Sequence, residues 1–121
     1  MHKLSDLQVW VKARGLAKEI YLITGKLPDA EKFGLISQMR RAAVSVASNI
    51  AEGAGRNSDK EFIRFLAIAF GSSYEIKTQL LICVDLGFLD EKEVDQLLSE
   101  IDEVERMIWG LQKAIKSRLN Q

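Results

Sequence analysis

Val94, Leu97, Ile101, Val104, Ile108, Leu111 and Ile115 recur at alternating steps of three and four residues. That spacing keeps apolar side chains on one stripe of an α-helix, and no period-two strand pattern competes with it anywhere in the chain. Three earlier segments carry the same alternation. They are Val9, Ala13, Leu16, Ile20 and Ile23; then Ile36, Met39, Ala43, Val46 and Ile50; then Phe62, Leu66, Ala69, Ser73, Ile76, Leu80 and Cys83. The 121 residues hold a single proline, Pro28, so long uninterrupted helices follow naturally. The predicted helices cover about 6–25, 31–53, 59–86 and 91–118. Their short connections force antiparallel neighbours. The sequence therefore reads as all-α, one domain over residues 1–121, folded as an antiparallel up-down-up-down four-helix bundle.

Punctuation agrees with those bounds. Ser5-Asp6-Leu7-Gln8 has the spacing of a capping box that starts helix one, and Gly25 with Leu27-Pro28 ends it. Asp29 or a residue shortly after it caps helix two, and Gly53-Ala54-Gly55 stops it. Ser58-Asp59-Lys60-Glu61 is a second capping box, Gly87 a C-cap, and Asp90-Glu91-Lys92-Glu93 an acidic start for helix four. Thr24-Gly25-Lys26 is a fragment of a phosphate loop without its upstream glycine, trailing hydroxyl residue or preceding strand. It carries no nucleotide reading.

Helix two has a second, polar face in Gln38, Arg41, Ser45, Ser48 and Glu52, with Asn49 beside it. Ala42, Ala47 and Ala51 let neighbours approach closely. Arg41 lines up with Ser45 and Asn49, which points to a hydrogen-bonded seam reaching Glu52 or Glu75 within or between subunits. Direct phosphate contact by Arg40 and Arg41 is the other reading, because a planar guanidinium suits carboxylate and phosphate alike. Helix three is apolar nearly all round between Phe62 and Phe70, with Ile63, Phe65, Ile68 and Phe70 off the main seam. A helix of that kind needs cover on several sides, and self-association is the expectation.

Seventeen basic and seventeen acidic residues cancel, so attraction for a polyanion must be local. Threaded through the bundle, residues 1–15, 46–66 and 106–121 meet at one end and sum to +6; the remainder sums to −6. Acids early and bases late in a helix complement its dipole, which accounts for part of this polarity. The alternative reading of the same polarity is a candidate anion-binding end formed by Arg56, Lys60, Arg64, Lys113, Lys116 and Arg118.

The one histidine is His2, which rules out a histidine triad or zinc site within one chain, and the Glu-x-x-His motif of di-iron bundles is absent. Helix four's many carboxylates belong mostly to its solvent face. Cys83, the one cysteine, falls at a core position as a structural thiol. Trp10, Tyr21, Tyr74 and Trp109 fit the seams or their flanks and read as packing residues, not base-stacking platforms. No enzyme, cofactor or metal is implied. No apolar run approaches the length of a membrane span or a signal peptide, so the expected location is the cytoplasm.

Gly34-Leu35, Gln38-Met39-Arg40-Arg41-Ala42-Ala43-Val44-Ser45 and Ser48-Asn49-Ile50-Ala51-Glu52-Gly53, with Arg56 and Ser58, together resemble a known signature. It is that of the bacterial four-helix-bundle proteins encoded in 23S rRNA intervening sequences. The likeness extends from Leu7, Val9-Trp10 and Tyr21 through Glu61-Phe62, Phe65-Leu66, Ala69, Gly71-Ser72, Glu75 and Thr78-Gln79-Leu80, roughly residues 7–90. Many members have proline where this chain has Ala47, so the sequence leaves open whether helix two kinks there. The related accessory variability determinant of diversity-generating retroelements is a pentamer that binds nucleic acid and a reverse transcriptase. By resemblance, then, the chain is expected to be a homo-oligomer, a pentamer, that holds RNA or DNA, with a reverse transcriptase as partner where one is encoded alongside. An assembly module without nucleic acid is the rival expectation. Gln38, Ser45, Asn49, Glu52, Phe65, Phe70 and Glu75 are the candidates for the oligomer or polar seam.

Overall fold

The computed structural model describes residues 3–119, so His2 lies outside the described residues. A 3-10 turn at Leu4–Asp6 leads into α1 (Gln8–Thr24), and a second at Asp29–Glu31 precedes α2 (Leu35–Gly55). α3 (Asp59–Asp85) and α4 (Glu91–Leu119) complete the chain. Four helices stand where the apolar spacing puts them. α2 runs unbroken through Ala47.

The cap of α1 and the exact bounds of α2 differ from the sequence expectation, each for a local reason. Ser5 does not cap α1: Leu7 occupies the cap position in extended geometry and makes no side-chain cap bond. Leu4 and Leu7 pack against the core instead, and that anchorage fixes how the chain enters the helix. α2 begins four residues later than expected. The Leu35 N–H donates to Glu31 Oε1 at 3.3 Å, so the capping side chain is one shortly after Asp29, as the sequence allows. α2 ends at Gly55, within the Gly53-Ala54-Gly55 run expected to stop it and two residues past the expected bound. Gly53 itself lies buried inside the helix, where a Cβ would come within 2.8 Å of Phe65 Cβ and 2.9 Å of Phe62 Cδ1. The missing side chain lets α2 and α3 close together just before the turn that joins them.

The other caps form as read. Ser58 Oγ accepts from the Glu61 N–H at 3.3 Å, and the Asp90 N–H donates to Glu93 Oε1 at 3.2 Å. Gly87 takes φ 76°, and the Phe88 N–H returns to the Cys83 carbonyl at 2.9 Å. This left-handed C-terminal motif is one glycine adopts without strain.

Side-chain partners set the helix directions. Between α2 and α3, Gln38 meets Gln79 and Ser45 meets Ser72; between α3 and α4, Ile63 meets Gln112 and Ser73 meets Glu105. As one number rises its partner's falls, so each pair runs antiparallel. Arg40 on α2 likewise reaches back to Tyr21 and Thr24 at the end of α1. α2 and α3 share the most extensive interface, and α1 and α4 the sparsest. Met39, Val46, Ile50, Phe62, Leu66, Ile76, Leu80, Ile101, Ile108 and Ile115 fill the centre with almost no exposure. Each such side chain contributes about 1.5–3 kcal/mol by leaving water. Among the described residues no helix is long and apolar enough to cross a membrane.

Candidate nucleic-acid interface

The start of α3 and the end of α4 share one pole. Gln112 Nε2 donates to the Ile63 carbonyl at 3.4 Å, and Arg118 donates to Asp59 Oδ1 at 3.1 Å. Half of the basic residues assigned to this pole from sequence are already engaged. Besides Arg118, Arg56 pairs with Glu52 at 2.8 Å and Arg64 with Glu61 at 2.8 Å. The Arg64 hydrogen bond holds the Glu61 carboxyl below its ordinary range, and Glu61 in turn raises Arg64. Both guanidiniums also lie over the Phe65 ring, at 5.2 and 4.5 Å from its centroid. Lys60, Lys113 and Lys116 differ: they are exposed and have no ion pair among the described residues. Arg106, two turns before Lys113 on the same side of α4, has none either among the described residues.

α1 adds less to this pole than its sequence position suggests. Lys12 is paired to Glu103 at 2.7 Å, level with the middle of α4, because α1 is 17 residues long and α4 is 29. Two clefts open along the loosely packed α1–α4 seam, of about 280 and 620 Å³. Glu19 and Glu100 line both, with Glu103 in the smaller and Glu93 in the larger. Lys12 in the smaller and Lys26 and Lys92 in the larger offset part of that negative charge.

Arg40 sits far from the pole and works inside the fold. Its Nε donates to Thr24 Oγ1 at 2.9 Å, its Nη2 to the Tyr21 carbonyl at 3.2 Å, and its guanidinium covers the Tyr21 ring at 4.7 Å. It thus satisfies a carbonyl at the end of α1, as a cation at a helix C-terminus should. Arg41 is exposed and stands outside the seam expected for it. Asn49 Nδ2 bonds the Ser45 carbonyl at 2.8 Å and Ser45 Oγ at 2.9 Å, and Ser45 continues to Ser72 at 2.9 Å. Gln79 extends the polar seam to Gln38 at 3.4 Å and Glu75 at 3.3 Å. Gln79 is 6% exposed, and its Oε1 finds no donor. Glu52 turns away to Arg56. Phe65 is buried within the bundle, while half-buried Phe70 lies against Tyr74 with ring centroids 5.2 Å apart.

Two features escaped the sequence reading. Glu105, on a helix whose carboxylates were expected in solvent, is only 7% exposed. Ser73 Oγ lies 2.6 Å from one carboxylate oxygen and Lys77 Nζ 3.1 Å from the other. Lys77 also reaches Asp102 at 3.0 Å. Burial lowers the Lys77 pKa, but bonds to two carboxylates outweigh it and the net shift is upward. The hint in the sequence was Ser73 at a seam position facing a helix of acids. The aromatic residues also depart from expectation. Trp109 is 58% exposed and Tyr74 54%, with Tyr21 also largely open and Trp10 half-buried. Trp109 follows the core residue Ile108 by one position, so the helix turns its indole outward. Beside it, a shallow notch of about 270 Å³ is lined by Phe70, Asp102, Glu105, Arg106 and Trp109.

Among the described residues no group of three His, Cys, Asp or Glu side chains could hold a metal ion. No match was found among curated proteins. A crystal structure of a protein of unknown function from the S23 ribosomal protein family, from Bacteroides thetaiotaomicron, superposes with a TM-score of 0.80. The two are 22% identical, over 87% of this chain and 95% of that one, so the likeness is one of fold. The sequence profile of the family described as 23S rRNA-intervening sequence protein matches residues 5–110. This four-helix bundle therefore belongs to the 23S rRNA-intervening sequence protein family.

Proposed function

We propose that the protein is a non-enzymatic, self-associating scaffold that holds RNA or DNA by its phosphate backbone with little sequence selectivity. The observation that carries this reading is the cluster of exposed lysines, Lys60, Lys113 and Lys116, with no ion pair among the described residues, where α3 begins and α4 ends. Residues 106–121 hold four basic and no acidic residues, while Arg56, Arg64 and Arg118 at the same pole have carboxylates. Cations left open in such a protein attract anions, and repetition of the pole in a homo-oligomer, a pentamer by family resemblance, would add their fields. No groove-reading motif accompanies them, which favours backbone contact over base readout.

A second reading is an assembly module without nucleic acid. Exposed Val44, Ile68, Leu81 and Ile82 on α2 and α3 favour it, as does the unpartnered Gln79 Oε1 beside the polar seam. Charge reversal at Lys60, Lys113 and Lys116 separates the two. The scaffold reading expects nucleic-acid retention on a filter to fall at least tenfold with sedimentation unchanged; the module reading expects neither property to move. A monomer at micromolar concentration would remove self-association from both.

A further inference from the structure

One exposed stripe of α4 joins charge to an aromatic ring. Arg106, Trp109, Lys113 and Lys116 follow one another by three, four and three residues, so they share a side of the helix over about 15 Å. Trp109 is among the most open of the large apolar residues, at 58% exposure. Lys113 Nζ stands 5.0 Å from its centroid. Across the notch Phe70 forms the other aromatic wall, and Tyr74 continues it as a tilted neighbour.

From this juxtaposition we propose that Trp109, with Phe70 and Tyr74 beside it, is a stacking platform for unpaired bases of a single-stranded nucleic acid whose phosphates lie along Arg106, Lys113 and Lys116. The inference rests on the proposed phosphate-binding pole and adds what that pole selects. Lysines alone attract any polyanion, duplex or single strand. An open indole offers a flat apolar face that every nucleobase can cover, and aromatic rings interleaved with cations are what strands without sequence preference exploit. Bases inside a duplex are stacked on one another and present no free face to the ring. Phe70 and Trp109 both line the notch of about 270 Å³ with Arg106 beside them, and Lys113 and Lys116 lie further along the stripe. That arrangement sends the backbone to the lysine side and the base to the aromatic side.

The test uses the full chain carrying Trp10→Phe, so that Trp109 is the remaining indole, with helical content checked by circular dichroism. At low salt, a short single-stranded oligonucleotide is expected to quench Trp109 fluorescence, while a duplex of equal length quenches little. Trp109→Leu should weaken single-strand binding on filters roughly tenfold, and Trp109→Phe should retain most of it. Equal quenching by duplex, or full affinity in Trp109→Leu with loss only in the Lys113→Glu, Lys116→Glu variant, overturns the platform and leaves the phosphate pole standing. No retention of any oligonucleotide overturns both. Quenching by anionic lipid vesicles without quenching by oligonucleotide overturns the platform in favour of a membrane surface.

Discussion

Arg118 donates to Asp59 at 3.1 Å, tying the last turn of α4 to the first turn of α3. The contact positions the basic pole and at the same time withdraws one cation from it. Asp59→Asn should release Arg118 to solvent. The expected outcome is tighter polyanion binding and a salt slope steeper by roughly 0.7–0.9, the contribution of one added phosphate contact. Filter binding across a salt series checks it; an unchanged slope would mean that Arg118 does not reach the ligand.

The Lys77–Glu105 pair tests a different link, from packing to stability. Lys77→Met leaves Glu105 with Ser73 as its remaining bonded neighbour in a site that is 7% exposed. Breaking a buried pair from one side costs about 3–5 kcal/mol. Lys77 keeps some solvent contact, which screens the loss to about 1–3 kcal/mol. Urea denaturation at neutral pH measures it. The second change Glu105→Met should recover much of the loss, because it removes the stranded charge.

Lys26 bonds Glu93 near the start of α4 and, with the Asp90 N–H, holds the Glu93 carboxyl below its ordinary 4.5. A lowered folded-state pKa stabilises fully above the unfolded value and loses that contribution as pH falls through the folded one. Wild type should therefore exceed Lys26→Met in stability at neutral pH. The gap should close below about pH 4.5, and thermal melts from pH 7 to pH 3 report it.

Two glycine substitutions should move stability in opposite directions. Gly53→Ala drives a methyl within 2.8 Å of Phe65 Cβ, and overpacking of that kind costs about 1–3 kcal/mol, more than the helix propensity it gains. Gly71→Ala meets nothing within 4 Å in the interior of α3 and should add about 0.5–1 kcal/mol. Chemical denaturation of the two variants decides.

Helices were legible in the sequence because Val94 to Ile115 and the three earlier seams follow a period set by backbone geometry alone. Ends set by the cap residue itself, Ser58 through its hydroxyl and Gly87 through its missing Cβ, were legible because that chemistry is local. α1's start and Gly53's role were not, since both turn on how residues distant in sequence pack: Leu4 and Leu7 on the core, Phe62 and Phe65 across from α2. Charge totals placed the basic pole but not its pairing. Arg56, Arg64 and Arg118 each found a carboxylate within reach, and neither net charge nor periodicity specifies a rotamer. Trp109 was misread as packing because a position one residue off a seam is ambiguous until the helix meets its neighbours.

The central claim is that uncompensated lysines at one pole capture a phosphate backbone. Its most direct measurement is the slope of log binding constant against log salt for wild type and for the Lys60→Glu, Lys113→Glu, Lys116→Glu variant. The account predicts a linear decline for wild type, with a slope of roughly −2 or steeper, and a slope near zero for the variant. A wild-type affinity that does not change with salt, or a variant that keeps the wild-type slope, would contradict it.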